Sequence, residues 1–229
     1  MTPIRLIGAD WSAEETKRGI AVVDYANDTA SLVALSGCSA KRKALRVMAD
    51  ALAVAPGSCV IAIDAPLGWP VAMAQALAEH AAGESLPKTA SEMFSRDTDR
   101  FVQTTLTKRP LEVGTNLIAR TAHSANQFLR VLREETRRPI PLLWSPDELS
   151  DAGVIEVYPA ATKRAIAPQS ATDVLGLDAA AIAGANAHVA DALWCAVAAL
   201  HFVRGECAAP LDPITSRREG WIWFRRPQR

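Results

Sequence analysis

An α/β fold built on a mixed sheet is what this chain of 229 residues predicts, on three observations. Apolar runs short enough to be buried strands recur near its start. The links between the first three are too short for crossovers and favour antiparallel hairpins. A helical stretch then precedes the fourth run, which lets that strand return parallel to the first.

The elements follow in order. Ile4–Asp10 reads as the first strand, 19–25 as the second and 30–35 as the third, the last two joined by Ala26-Asn27-Asp28. Residues 41–54 carry Leu45, Met48 and Leu52 at helical spacing, with Lys41, Arg42, Lys43 and Arg46 near the start and Pro56-Gly57 as a stop. A buried strand at 59–63 leads into Asp64. The long segment that follows reads as mostly helical: 71–82 is alanine-rich, and 116–137 repeats Ala125, Phe128, Leu129 and Leu132 in a helix-like pattern. Residues 154–158 form a fifth strand and about 185–202 a last long helix. The expected organisation is one domain over 1–229, with a helical insertion at about 69–150 between the fourth and fifth strands.

Charge narrows the partners only locally. Lys plus Arg equals Asp plus Glu at 25 each, so the overall balance names no polyanion. From 96 to 138, however, nine basic residues (Arg96, Arg100, Lys108, Arg109, Arg120, Arg130, Arg133, Arg137 and Arg138) face Asp97, Asp99, Glu112, Glu134 and Glu135. No run of about 18 apolar residues is present, and the N-terminal residues lead straight into a strand, so the expectation is a soluble, cytoplasmic protein with no membrane partner. Cys38, Cys59, Cys195 and Cys207 form no C-x-x-C pair, which argues against structural zinc and fits reduced thiols.

Acidic residues stand where these apolar runs end or the last helix begins. Asp10 closes Leu6-Ile7-Gly8-Ala9, Asp64 closes Val60-Ile61-Ala62-Ile63, Glu156 interrupts Val154-Ile155-Glu156-Val157-Tyr158, and Asp191 opens Asp191-Ala192-Leu193-Trp194. Carboxylates gathered at a sheet edge repel one another unless an oxygen-loving cation lies between them, which points to a metal-dependent hydrolase. His188 and Asp191 are three apart on a helix and share a face. Singly, each Asp has a plainer reading as a turn or capping residue, and His188 as a surface histidine.

Six segments carry a family resemblance: Gly8-Ala9-Asp10-Trp11-Ser12, Ile63-Asp64-Ala65-Pro66-Leu67-Gly68, Arg96-Asp97-Thr98-Asp99-Arg100, Glu156-Val157-Tyr158-Pro159-Ala160-Ala161, His188-Val189-Ala190-Asp191-Ala192 and Glu219-Gly220-Trp221-Ile222. Together they resemble the DUF429 family, described as predicted nucleases with a ribonuclease H-like fold. The resemblance implies a ribonuclease H-like mixed five-stranded sheet flanked by helices, with the first and fourth strands side by side and Asp10 next to Asp64. Within that fold the layout is more similar to Holliday-junction resolvases, which place carboxylates on the first strand and after the fourth, and a His-x-x-Asp or Asp-x-x-Asp pair on the final helix. Asp10, Asp64, His188 and Asp191 occupy those positions.

What the resemblance implies is phosphodiester hydrolysis at Mg²⁺ or Mn²⁺, with Asp10, Asp64 and Asp191 as metal ligands and His188 positioning or deprotonating the attacking water. Glu156 joins this catalytic set only if its side chain points outward at the strand end. Nucleic acid, DNA or RNA, is the expected substrate; Arg96 and Arg100 are candidates for phosphate contact, and Trp11 and Trp69 for lining the site or stacking on bases. Two other classes stay open. Actin-like ATPases and phosphotransferases elaborate a related fold, although a glycine-bearing phosphate loop normally follows their first acidic residue and Trp11-Ser12-Ala13 follows here. A non-catalytic binding protein that keeps the fold is the other.

Overall fold

The computed structural model describes residues 2–114 and 116–227. Its sheet has five strands: β1 (Ile4–Asp10), β2 (Gly19–Ala26), β3 (Thr29–Gly37), β4 (Ser58–Asp64) and β5 (Ala152–Glu156), in the order β3-β2-β1-β4-β5. β2 runs antiparallel to β1 and β3, while β1, β4 and β5 are parallel. This is the mixed five-stranded sheet that the resemblance implies, with β1 and β4 side by side. Helix α1 (Ala44–Ala53) supplies the crossover from β3 to β4. It begins at Ala44, so Lys41, Arg42 and Lys43 precede the helix instead of opening it.

Between β4 and β5 stand α2 (Val71–Glu79), α3 (Ala90–Phe94), α4 (Asp97–Leu106) and α5 (Asn116–Thr136). After β5 come α6 (Pro159–Ile166), α7 (Ala171–Leu175), α8 (Ala187–Val203) and α9 (Pro213–Glu219). The fifth strand lies two residues earlier than the sequence pattern suggests. Pro159 occupies the first turn of α6, where its missing N–H costs nothing, and Tyr158 is already that helix's N-cap.

Strand alternation divides the core. Leu6, Val60, Ala62 and Ile155 face α8, where Leu193, Val197 and Leu200 meet them. Ile7, Ala9, Ile61 and Val154 face the other way, toward Met48 and Leu52 of α1 and Leu129 and Leu132 of α5. With both faces covered, the central strands are apolar throughout, as a largely parallel sheet requires. The four cysteines are buried and unpaired, and burial pushes the Cys195 thiol well up. Among the described residues, no helix is long and apolar enough to cross a membrane.

Two glycines set how close α8 comes. A Cβ on Gly8 would lie 2.0 Å from the Ala192 carbonyl oxygen, and one on Gly19 would lie 2.1 Å from that of His188. The backbone of α8 therefore rests directly on β1 and β2.

Candidate functional site

That contact builds the site. Asp10 and Asp64 end adjacent parallel strands and are register partners, so their Cα atoms are about 4.8 Å apart, one strand spacing. Both share the parity of Leu6 and Val60 and belong to the face that α8 covers. Seated on Gly8 and Gly19, α8 brings its first turns to the same sheet edge. Asn186 caps it, its side-chain oxygen accepting from the Val189 N–H at 3.0 Å. His188 Nδ1 then lies 2.7 Å from Asp10 Oδ2, and Asp191 follows three residues later on the same face.

The three carboxylates act on one another. Burial pushes Asp10 up to about 6, outweighing the hydrogen bond and charge of His188, with the Asp191 charge adding to the rise. Asp64 is held well above the usual carboxylate range, first by burial, then by the charges of Asp10, Asp191 and Glu156. Its side chain accepts no hydrogen bond among the described residues, although it borders a cavity of about 190 Å³ lined also by Trp11, Thr121, Val157 and Tyr158.

Five other expected site residues are placed differently. Glu156 pairs with Ile63, so it has the parity of the opposite sheet face from Asp10 and Asp64. It is 2% exposed, and its carboxylate accepts from Arg96 through both oxygens (2.7 and 3.0 Å) and from the Leu67 N–H at 2.9 Å. Its side chain does not point outward at the strand end, the condition on which it joined the catalytic set, and its carboxylate is engaged by Arg96 and the Leu67 N–H, although it borders the same cavity as Asp64. Arg96, expected to reach phosphate, is 1% exposed; its guanidinium donates to both oxygens of Asp99, both of Glu156 and the Glu219 carbonyl. Although burial opposes its charge, Glu156 and Asp99 hold it protonated more firmly than an ordinary arginine. All of its donors serve this hub, although Arg96 also borders the cavity beside Asp64. Arg100 is likewise engaged, by Asp97 and the Ser91 carbonyl. Trp11 lines the cavity but is 5% exposed, with the Arg18 guanidinium 3.9 Å over its ring and Phe128 at 4.3 Å, so it forms a wall and not a stacking platform for a base. Trp69 does not line that cavity.

One residue at the site escaped the sequence reading. Lys163 of α6 forms an ion pair with Asp191 Oδ1 across to α8, and its charge also favours the ionised forms of Asp10 and Asp64. A signal was present: the residues three and four away along the chain are Pro159, Ala160, Ile166 and Ala167, so a lysine there has no acidic neighbour on its own helix.

Among the described residues, no group of three or more His, Cys, Asp or Glu side chains is placed to hold a metal ion as they stand. Asp10 is turned to His188 and Asp191 to Lys163. The donor chemistry nonetheless fits an oxygen-loving divalent cation. Three carboxylates reach one sheet edge from three elements, two of them held by positively charged or protonatable partners, and half-buried Asp64 has no protein donor to satisfy it among the described residues.

No curated protein matches the sequence. Among solved structures, the T. thermophilus RuvC in complex with Holliday junction substrate is similar at 15% identity and a TM-score of 0.42, over 92% of this chain and 100% of that one. A family model described as protein of unknown function (DUF429) matches residues 8–215, and the chain therefore belongs to the DUF429 family.

Proposed function

We propose that this protein is a divalent-metal-dependent nuclease whose site comprises Asp10, Asp64, Asp191 and His188. The observation that carries this reading is the register pairing of Asp10 with Asp64, the second of which accepts no hydrogen bond among the described residues and lies near the charge of Asp191. Asp64 and Asp10 would hold Mg²⁺ or Mn²⁺, with Asp191 joining them. Bound there, such an ion supplies Lewis-acid stabilisation of a phosphoryl oxygen and lowers the pKa of a water.

The remaining work belongs to the chain. With Asp10 ionised, the hydrogen of His188 sits on Nδ1 and is directed at Asp10, which leaves Nε2 as a proton acceptor. The His188 side chain is 43% exposed, so that nitrogen is open to a water or a substrate hydroxyl. The cavity beside Asp64 is walled by Trp11, Val157 and Tyr158. A nucleic acid, DNA or RNA, is the substrate class that matches phosphodiester chemistry at a carboxylate site.

Labelled single-stranded, duplex and branched oligonucleotides of DNA and RNA, incubated with the protein in Mn²⁺ or in chelator, test the reading. Metal-dependent cleavage of at least one, lost in Asp64→Asn and Asp10→Asn, is the expected result. Cleavage that survives both substitutions, or no cleavage and no metal binding, would overturn it.

A further inference from the structure

With Arg96 and Arg100 engaged elsewhere, the cation that matters at this site is one the motifs did not announce. We propose that Lys163 is a resident counter-cation of the carboxylate cluster, its ammonium group holding Asp191 until a divalent ion displaces it. The inference rests on the metal-site reading above and adds to it a competitor encoded in the chain.

Geometry supplies the first support. α6 packs along α8, and Lys163 reaches across that interface so that Nζ meets Asp191 Oδ1. Nζ also lies 6.0 Å from the ring centroid of Trp194, three residues beyond Asp191 and on the same side of α8. The indole gives the ammonium a second resting place when the carboxylate is taken, because an aromatic face attracts a cation.

Charge supplies the second. Among the described residues, Lys163 and His188 are the only Lys, Arg or His side chains that form ion pairs with any of the three aspartates. Arg18, the next cation toward Trp11, is committed to Glu15 and the Ser12 carbonyl.

The pair is also suited to being broken. The side chains of Lys163 and Asp191 are 43% and 34% exposed, and ion pairs this open to water are weak. An ammonium and a divalent ion on one carboxylate repel each other, so binding of the metal must drive Lys163 off Asp191. The apparent affinity for metal is then lowered by the work of removing the lysine.

Calorimetric titration of Mn²⁺ into the parent, K163M, K163R and the double variant K163M/D191N decides this. Methionine keeps the length and packing of the side chain without its charge. K163M is expected to bind Mn²⁺ about tenfold more tightly than the parent, the scale of one opposing charge near a partly aqueous site. K163R, which keeps the charge, is expected to bind like the parent, and adding D191N to K163M should abolish the gain. Binding by K163M but not by the parent would also support the proposal. If the parent and K163M bind equally, or K163M more weakly, the counter-cation role is wrong while the metal site stands. If none of the proteins binds Mn²⁺, the metal-site reading and this inference fall together. Thermal melts in chelator confirm that each variant is folded before titration.

Discussion

Asp10 and Asp64 are register partners on adjacent parallel strands, yet Asp10 is bonded to His188 while Asp64 accepts no hydrogen bond among the described residues. The two carboxylates therefore differ in what their removal does. Asp64 is held above its ordinary range, so folding disfavours its charged form, and its contribution to stability declines as pH rises toward neutrality. Asp64→Asn should leave the metal-free protein at least as stable as the parent near pH 7. A ligand at one hundred times its dissociation constant adds about 2.7 kcal/mol, so Mn²⁺ should raise the parent's melting temperature visibly and that of Asp64→Asn far less. A variant melting well below the parent in chelator would make Asp64 a structural residue.

Arg96 should behave as part of the core. Its removal leaves Asp99 and Glu156 buried without their partner, and breaking a buried pair in this way costs about 3–5 kcal/mol. Arg96→Lys should recover little, because a single ammonium cannot span two carboxylates as a guanidinium fork does. Denaturant melts test both. Arg100→Ala, by contrast, should shift stability by less than about 1 kcal/mol, since its pair with Asp97 is largely exposed.

The seat of α8 gives a prediction at a distance from any charge. Gly8→Ala puts a methyl 2.0 Å from the Ala192 oxygen, where backbone and not a flexible side chain must move. Overpacking of this kind costs about 1–3 kcal/mol or more. Because the displaced helix carries His188 and Asp191, the metal-dependent rise in melting temperature should shrink as well. A Gly8→Ala protein with an undiminished metal response would show that α8 does not set the site's geometry.

His201 offers a pH test independent of the carboxylates. It is 2% exposed, its Nδ1 is 2.6 Å from Glu206 Oε2, and burial depresses its pKa despite that partner. A histidine with a lowered folded pKa is charged first in the unfolded chain. Its contribution to stability is present above the ordinary value of 6.5 and is lost as pH falls through its depressed folded pKa. The parent should thus lose stability between about pH 7 and pH 5 more steeply than His201→Leu. Equal slopes would place the titration elsewhere.

The positions of Asp10, Asp64 and Asp191 in the fold were legible because each follows or opens an uninterrupted apolar run, and strand order then brings the first two together. The direction of Glu156 was not. Its neighbours Ile155 and Val157 are both buried, so in a strand covered on both faces nothing in the pattern marks which way a given side chain points. Arg96 misled for another reason. Paired with Asp99 three residues on, it has the pattern of an exposed helical ion pair; its burial is created by Glu156 and Glu219, which lie 60 and 123 residues further along. Lys163 shows the same limit from the other side, since its partner Asp191 lies 28 residues away on another helix.

That hub around Arg96 also constrains when the protein can mature. Arg96 donates to the Glu219 carbonyl, and the Glu219 carboxylate accepts the N–H groups of Val71 and Asp97. During synthesis, Arg96 and Asp99 exist long before the residues that complete their enclosure. At about 5–20 residues per second, the 123 residues from Arg96 to Glu219 take roughly 6–25 seconds to make. For that interval the nascent chain carries a charge cluster that it has no means to bury, so closure of the fold waits on translation.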